Sequence, residues 1–234
     1  VYVELTRNGV AVAATWQDHG QGADMGALGT ASKALAPLRI KPEQISLILN
    51  DTALAPNSGP SGGSRSQVIT GNAIKNGCEL LLAAMRKKDG TYRTFDEMVA
   101  EKISLRYSGK WTASMNTNCD LQTSQGSPFA VYMYGLFMAE VAVNTKTGKT
   151  TVEGFTVIAD VGKINNRLVV DGQIYGGVAQ GIGLALSEDF EDLKKHTSLS
   201  ACGLPYPKDI PDKFEIHYVA VSYTHLTLPT KRIV

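Results

Sequence analysis

A stretch rich in glycine and serine, Asn57–Arg65, runs directly into a long segment of apolar periodicity. Glycine lets a backbone approach a ligand closely, and the N–H groups at a helix N-terminus point at negative charge. Ser64 and Gln67 have the spacing of a capping box, which predicts that a helix begins at Ser64. Taken alone, the stretch is compatible with an ordinary capped helix after a flexible loop or with a cradle for an anion.

The composition indicates a globular chain with a sizeable core. Its 234 residues are 43% hydrophobic and 19% charged, with a net charge of +1, which suits one large domain or two small ones. The near-neutral charge argues against nucleic acid as a partner, and no apolar run is long enough to span a membrane. Cys78, Cys119 and Cys202 lie far apart, which favours reduced thiols in a cytoplasmic protein.

Strand and helix patterns are interspersed and include hairpins, which favours an α+β fold with mixed and antiparallel sheets and long packing helices. The Asn8–Gly9 pair predicts a hairpin between strands at 1–6 and 10–15. Further strands are expected at 45–49, 103–112, 132–145, 149–160 and 213–221. Helices are expected at 24–38, 64–87, 95–100 and 171–186.

A second segment that combines glycines with a glutamine is Asp18–Asp24. Gly20 and Gly22 flank Gln21 at the point where a strand pattern ends and a helix pattern begins. The amide of Gln21 both donates and accepts hydrogen bonds, so it suits a ring edge or a metal-bound oxygen. The spacing of glycines does not match the dinucleotide fingerprint, because Met25 stands where the third glycine belongs.

The third such segment, Gly176–Gly183, places four glycines within one expected helix. Each glycine in a helix interior costs about 1 kcal/mol relative to alanine, so the set requires a reason. Close packing of helix on helix is one, and close approach of the backbone to a buried cofactor is the other. Gln180, a polar residue in an otherwise apolar stretch, favours the cofactor.

Other patterns have ordinary structural interpretations. His19 has no second histidine at ligand spacing, so we assign no metal ligand. Gly148–Thr150 looks like the end of a phosphate-binding loop but falls in an expected hairpin turn. Glu140 is expected to be a paired structural carboxylate rather than a buried catalytic acid, and Asp51 is expected to cap a turn.

The order of these segments resembles the molybdenum hydroxylase family of aldehyde oxidoreductase, aldehyde oxidase and xanthine dehydrogenase. The likeness reaches about Val221 and looks closest to the bacterial aldehyde oxidoreductase branch. It is carried by DHGQGADMG at 18–26, NDTALAPNSGPSGGSRSQVITGNA at 50–73, SPFAVYMYGLFMAEVAVNTKTGK at 127–149 and DVGKINNRLVVDGQIYGGVAQGIGLALSED at 160–189.

The resemblance implies a molybdopterin cytosine dinucleotide cofactor that carries molybdenum, with [2Fe-2S] clusters in other parts of the full-length protein. It implies that the metal is held by the dithiolene of the pterin, so that no protein ligand is needed. By position, it assigns cofactor contacts to His19, Gly20, Gln21, Gly22, Ser61, Gly62, Gly63, Ser64 and Gln180.

The activity that the resemblance implies is oxidation of aldehydes to carboxylic acids, with water as the oxygen source. A purine or other heterocycle hydroxylase of the same family is the first alternative, and a non-catalytic nucleotide-binding module is the second. The implied partners are a small aldehyde and an iron–sulfur domain or subunit, with a homodimer of the full-length protein left open.

The expected organisation has two parts and a tail. Residues 1–125 would form the first part of the molybdopterin-binding region, with loops at 18–24 and 57–65, and residues 126–221 the second part. Residues 222–234 are expected to be non-native sequence, with a genuine last strand as the alternative. The general-base glutamate of the family would lie downstream of the last strand, so we expect this chain alone to be inactive and assign it no catalytic residue. A fragment of this kind is expected to expose apolar surface and to associate.

Overall fold

The computed structural model describes residues 1–113, 119–127 and 132–219. These residues fall into two compact units, the first holding those up to 127 and the second those from 132 onward. The expected tail at 222–234 lies outside the described residues. Among the helices that are described, none combines the length and the apolar character needed to cross a bilayer.

The first unit is built on a four-stranded mixed sheet in the order β3-β2-β1-β4. β1 and β2 form the antiparallel hairpin expected at Asn8–Gly9, and β4 pairs antiparallel with β1. β3 lies parallel to β2, so the carboxyl ends of these two strands meet at one edge of the sheet. The strands are β1 Tyr2–Thr6, β2 Gly9–Ala14, β3 Ile45–Leu49 and β4 Arg106–Ser108.

Three helices accompany this sheet, and the two longer ones, α1 and α2, pack on each other. Their apolar sides and those of β1 and β2 form one core, which includes Val3, Val12, Trp16, Leu35, Ile74 and Leu81. Gly109 lies directly against α2, where a Cβ atom would stand 2.1 Å from the carbonyl oxygen of Ala73. The helices are α1 Ala23–Ala34, α2 Gly71–Met85 and α3 Phe95–Ala100.

The capping box expected at Ser64 and Gln67 is wrong. Ser64 has a left-handed φ of 62°, and only its carbonyl contributes, accepting from the N–H groups of Gln67 and Val68. Gln67 turns its side chain towards α1, where its Oε1 lies 2.8 Å from the position of a Cβ on Gly26. A π-helical turn, Ser66–Thr70, therefore precedes α2, and the regular helix starts later than expected.

The second unit is a three-stranded sheet in the order β5-β6-β7 with one long helix, α4. β5 and β6 are antiparallel and joined by the expected turn, while β6 and β7 are parallel and connected through α4. Its core is small and includes Val157, Ala159, Val178 and Ile182. The elements are β5 Tyr134–Val143, β6 Thr150–Asp160, α4 Arg167–Leu186 and β7 Lys213–Tyr218.

The α+β class with mixed and antiparallel sheets is confirmed, and the differences are in element ends. α4 begins four residues before the expected position because the side chain of Asn166 accepts the N–H of Val169 and caps the helix. β4 covers only part of the expected 103–112, because its chain reaches Gly109 and the surface of α2 directly after Ser108.

Replacing Gly109 by alanine should lower the free energy of unfolding by about 3 kcal/mol, since the new Cβ meets backbone atoms of α2, which yield less easily than the end of a side chain. The matched comparison is Gly77→Ala, whose Cβ meets mainly the Cγ2 methyl of Val3 at 2.7 Å. That methyl can shift, and alanine gains about 1 kcal/mol of helix propensity, so this change should cost less. Urea unfolding followed by the fluorescence of Trp16 and Trp111 measures both; an equal or smaller cost at Gly109 would contradict the packing described.

Candidate cofactor-binding site

Two loops leave the same edge of the first sheet and lie side by side. The first loop, residues 15–22, follows β2 and leads into α1, and the second loop, residues 56–65, follows the segment after β3. They are adjacent because β2 and β3 are parallel neighbours, and the pairing continues beyond the sheet as a parallel bridge between Thr15 and Asn57. Polar side chains from both loops therefore meet at one place.

Two reciprocal pairs of hydrogen bonds join the loops. The N–H of Thr15 donates to Ser58 Oγ over 3.1 Å, and the N–H of Ser58 donates to Thr15 Oγ1 over 2.8 Å. The N–H of Gln17 donates to Ser61 Oγ over 2.9 Å, and the N–H of Ser61 donates to Gln17 Oε1 over 3.1 Å. Each pair satisfies two backbone donors with two side chains, so the loops are held as one structure.

The first loop is folded around the carboxylate of Asp18. Its Oδ1 accepts the N–H groups of Gly20 and Gly22 over 2.9 and 3.1 Å, and its Oδ2 accepts the N–H of Asp24 over 3.0 Å. These bonds, that of Asp24 most strongly, hold the pKa of Asp18 below its usual value. Trp16, buried beneath the loop, donates its indole N–H to Asp24 Oδ1 over 2.9 Å.

Gln21 uses part of its amide to shape the first loop. Its Oε1 accepts the N–H of His19, and its Nε2 donates to the carbonyl of Gln17 over 2.9 Å. A glutamine amide has two donors and two acceptor positions, so one of each remains for a ligand. His19 is exposed, and among the described residues no group of His, Cys, Asp and Glu side chains forms a metal-binding cluster.

The tip of the second loop presents bare backbone. A Cβ placed on Gly62 or Gly63 would meet no atom of the described residues within 4 Å, so no packing among those residues requires glycine there. Gly63 has a φ of 53°, which glycine adopts without strain, while Gly62 has no such conformational reason. In the described part of the chain, the N–H groups of Gly62, Gly63 and Ser64 have no acceptor. Three neighbouring donors of this kind favour an anion.

Gln180 lies on α4 in the second unit. Its side chain is exposed within this unit. Cβ atoms on Gly172, Gly176, Gly177 and Gly181 would meet no atom within 4 Å, so no helix of the unit packs on the glycine face. Gly183 differs, because its Cβ would meet Pro205.

The ordinary interpretations of the remaining patterns hold. Asp51 caps a turn, since its Oδ1 accepts the N–H groups of Ala53 and Leu54 over 2.8 and 3.1 Å. Glu140 is paired with Lys213 over 2.9 Å but is exposed rather than buried. Residues 145–147 form the hairpin turn, which is capped by Asn144.

Sequence reasoning missed the residues that connect the loops, Thr15, Gln17 and Ser58, and the central role of Asp18. For Asp18 a signal was present, since an aspartate placed two residues before a glycine is typical of an Asx turn. For the connecting residues there was none, because their contacts span more than 40 positions of sequence.

Comparisons with known proteins show which family this chain belongs to. A family model described as molybdopterin cofactor-binding domain matches residues 1–211. Aldehyde oxidoreductase of Megalodesulfovibrio gigas is 56% identical over 93% of this chain and 24% of its own length. Aldehyde oxidase 2 of Mus musculus is 28% identical over 95% of this chain and 17% of its own length.

Among solved structures, aldehyde oxidoreductase from Desulfovibrio desulfuricans superimposes with a TM-score of 0.90 at 59% identity. The match covers 95% of this chain and 24% of that one. This chain therefore spans about a quarter or less of the length of the relatives it matches.

The fold around Asp18 should open in acid. The folded-state pKa lies below the unfolded value of about 3.9, so the stabilisation is present above that value and is lost as the pH falls through the folded-state pKa. We expect the amide hydrogens of Gly20, Gly22 and Asp24 to lose protection from exchange progressively as the pH is lowered from 6 to below the unfolded value, as followed in NMR spectra.

Asp18→Asn should remove this pH dependence by weakening protection across this pH range. Asp89→Asn is the matched control, because Asp89 is an exposed carboxylate that bonds Thr91 in another loop. Unchanged protection of Gly20 and Gly22 in Asp18→Asn would contradict the role given to Asp18.

Proposed function

Because this chain belongs to the molybdopterin cofactor-binding domain family, we propose that it forms part of a molybdenum hydroxylase that oxidises aldehydes to carboxylic acids. Water would supply the oxygen, and two electrons would leave through [2Fe-2S] clusters in the remainder of the full-length protein or in a partner subunit. The observation that carries the proposal is 56% identity to an aldehyde oxidoreductase over 93% of this chain.

The residues at the two loops fit a cofactor that carries a diphosphate. The second loop offers the N–H groups of Gly62, Gly63 and Ser64, with open space where a side chain at Gly62 would stand. We propose that Ser61–Ser64 binds the diphosphate of molybdopterin cytosine dinucleotide.

The first loop would bind the pterin end of the same molecule. The donor and the acceptor left on the Gln21 amide suit a pterin edge, which carries both kinds of group. His19, Gly20 and Gly22 would complete the contact, and Gln180 of the second unit would add another. When bound, the cofactor would supply the molybdenum that accepts the electron pair and activates water, held by its own dithiolene.

The proposal gives this chain a binding and positioning role. The reciprocal pairs Thr15–Ser58 and Gln17–Ser61 hold the two loops side by side. Hydrogen-bond donors of one loop would then bind the pterin end of the cofactor, and donors of the other loop would bind its diphosphate. We assign the general base to the remainder of the full-length protein and expect the chain alone to be inactive. The free cysteines, of which Cys78 and Cys202 are buried, support a cytoplasmic setting.

The full-length protein that contains this chain should hold molybdenum and release cytidine monophosphate on acid hydrolysis in equimolar amounts. It should reduce a dye with aldehydes as donors, whereas this chain alone should not. Metal analysis, nucleotide chromatography and the dye assay test these points. Turnover with purines but not aldehydes would favour the heterocycle hydroxylase, and bound nucleotide without molybdenum would favour a non-catalytic module.

Ser61→Ala should reduce the nucleotide content of the purified full-length protein severalfold, because it removes the acceptor for Gln17 N–H and the contact with Ser66 Oγ over 2.9 Å. Ser104→Ala is the control, since Ser104 is an exposed serine that bonds the carbonyl of Arg106 away from the loops. Equal nucleotide content in both variants would contradict the assignment of the second loop.

A further inference from the structure

The second loop contains a cation that the cofactor assignment above does not use. The side chain of Arg65 folds back across the loop, and its Nη1 donates to the carbonyl of Ser58. This contact closes residues 58–65 into a ring, with the glycine-rich tip Gly62–Gly63 between its ends.

The backbone at Gly59 lies directly against this guanidinium. A Cβ at Gly59 would stand 2.7 Å from both Nη1 and Nη2 of Arg65 and 2.8 Å from its Cζ. Gly59 also has a φ of 78°, a left-handed conformation that favours glycine. Any larger residue would push the guanidinium out of its place, so Gly59 and Arg65 form one structural unit.

The charge of Arg65 is not neutralised within the described part of the chain. Arg7, Arg93 and Arg106 each form an ion pair with a carboxylate, whereas Arg65 has no carboxylate partner among those residues. Its side chain is half-buried, so its charge is screened less than that of a fully exposed arginine. A guanidinium has five N–H donors, and the contact with Ser58 uses one of them.

We propose that Arg65, seated on Gly59, is a positioning and specificity residue that makes the second loop prefer a diphosphate to a single phosphate. The three backbone donors at the tip of the loop suit one phosphate group. A second phosphate brings further negative charge, which the unpaired guanidinium balances. This inference rests on the proposed function, because it concerns the same loop and the same cofactor.

The test compares cytidine diphosphate with cytidine monophosphate as probes, using calorimetry on the cofactor-free full-length protein. The wild type should bind the diphosphate more tightly. Arg65→Gln should lose about tenfold or more in diphosphate affinity, which is the effect of one charge-assisted hydrogen bond, and should change monophosphate affinity less than about twofold. The salt dependence of diphosphate binding should also weaken, because one cationic contact is gone.

Two further variants separate charge from geometry. Arg65→Lys keeps the charge without the planar fork and should lie between the wild type and Arg65→Gln. Gly59→Ala displaces the guanidinium and also strains the backbone at a φ of 78°, so it should lose at least as much diphosphate affinity as Arg65→Gln. Arg86→Gln is the matched control, since it removes one exposed positive charge outside the loop and should leave both affinities unchanged.

The outcomes distinguish the inference from the function on which it rests. Equal losses for the two probes in Arg65→Gln, with an unchanged salt dependence, would indicate a purely structural role and overturn the inference. A wild type without preference for the diphosphate would overturn it as well. A purified full-length protein that releases no cytidine monophosphate on acid hydrolysis would instead overturn the proposed function.

Discussion

The parallel pairing of β2 with β3 is the constraint on which the candidate site depends. Because the two strands are parallel, the segments that follow them both leave the sheet at the same edge. The bridge between Thr15 and Asn57 extends the pairing into the loops. Exposed loops would normally satisfy their backbone groups with water. Here the side chains of Thr15, Ser58, Gln17 and Ser61 take that role across the gap. A slip of one residue between β2 and β3 would separate both reciprocal pairs at once.

The two loops use their backbone N–H groups in opposite ways. The first loop directs three of them inward to the carboxylate of Asp18, which makes its shape self-sufficient. The second loop leaves the donors of Gly62, Gly63 and Ser64 without an acceptor among the described residues. A rigid loop beside one with unused donors is a suitable arrangement for a ligand, because little further ordering is needed when the ligand binds.

Local sequence patterns predicted most of the helices and strands. They could not predict contacts between residues that lie far apart in the sequence. Asn8–Gly9 predicted the hairpin, and the short apolar run at 45–49 predicted β3, because these signals depend on neighbouring positions. The capping box failed at Ser64 because contact with α1 drew the side chain of Gln67 away from the helix start. The glycine-rich segments were identified, but the bonds that join two of them connect distant parts of the chain.

The second unit has more apolar surface than its small core can account for. Side chains on both faces of β5 are more than half exposed, including Tyr134, Leu136 and Phe137. The glycine face of α4 is open as well. Soluble proteins rarely leave apolar surface of this extent uncovered. The aldehyde oxidoreductase relative matches this chain over only 24% of its own length. The exposed glycines of α4 and the exposed apolar side chains of β5 therefore both need a packing partner, which the described residues of this unit do not supply.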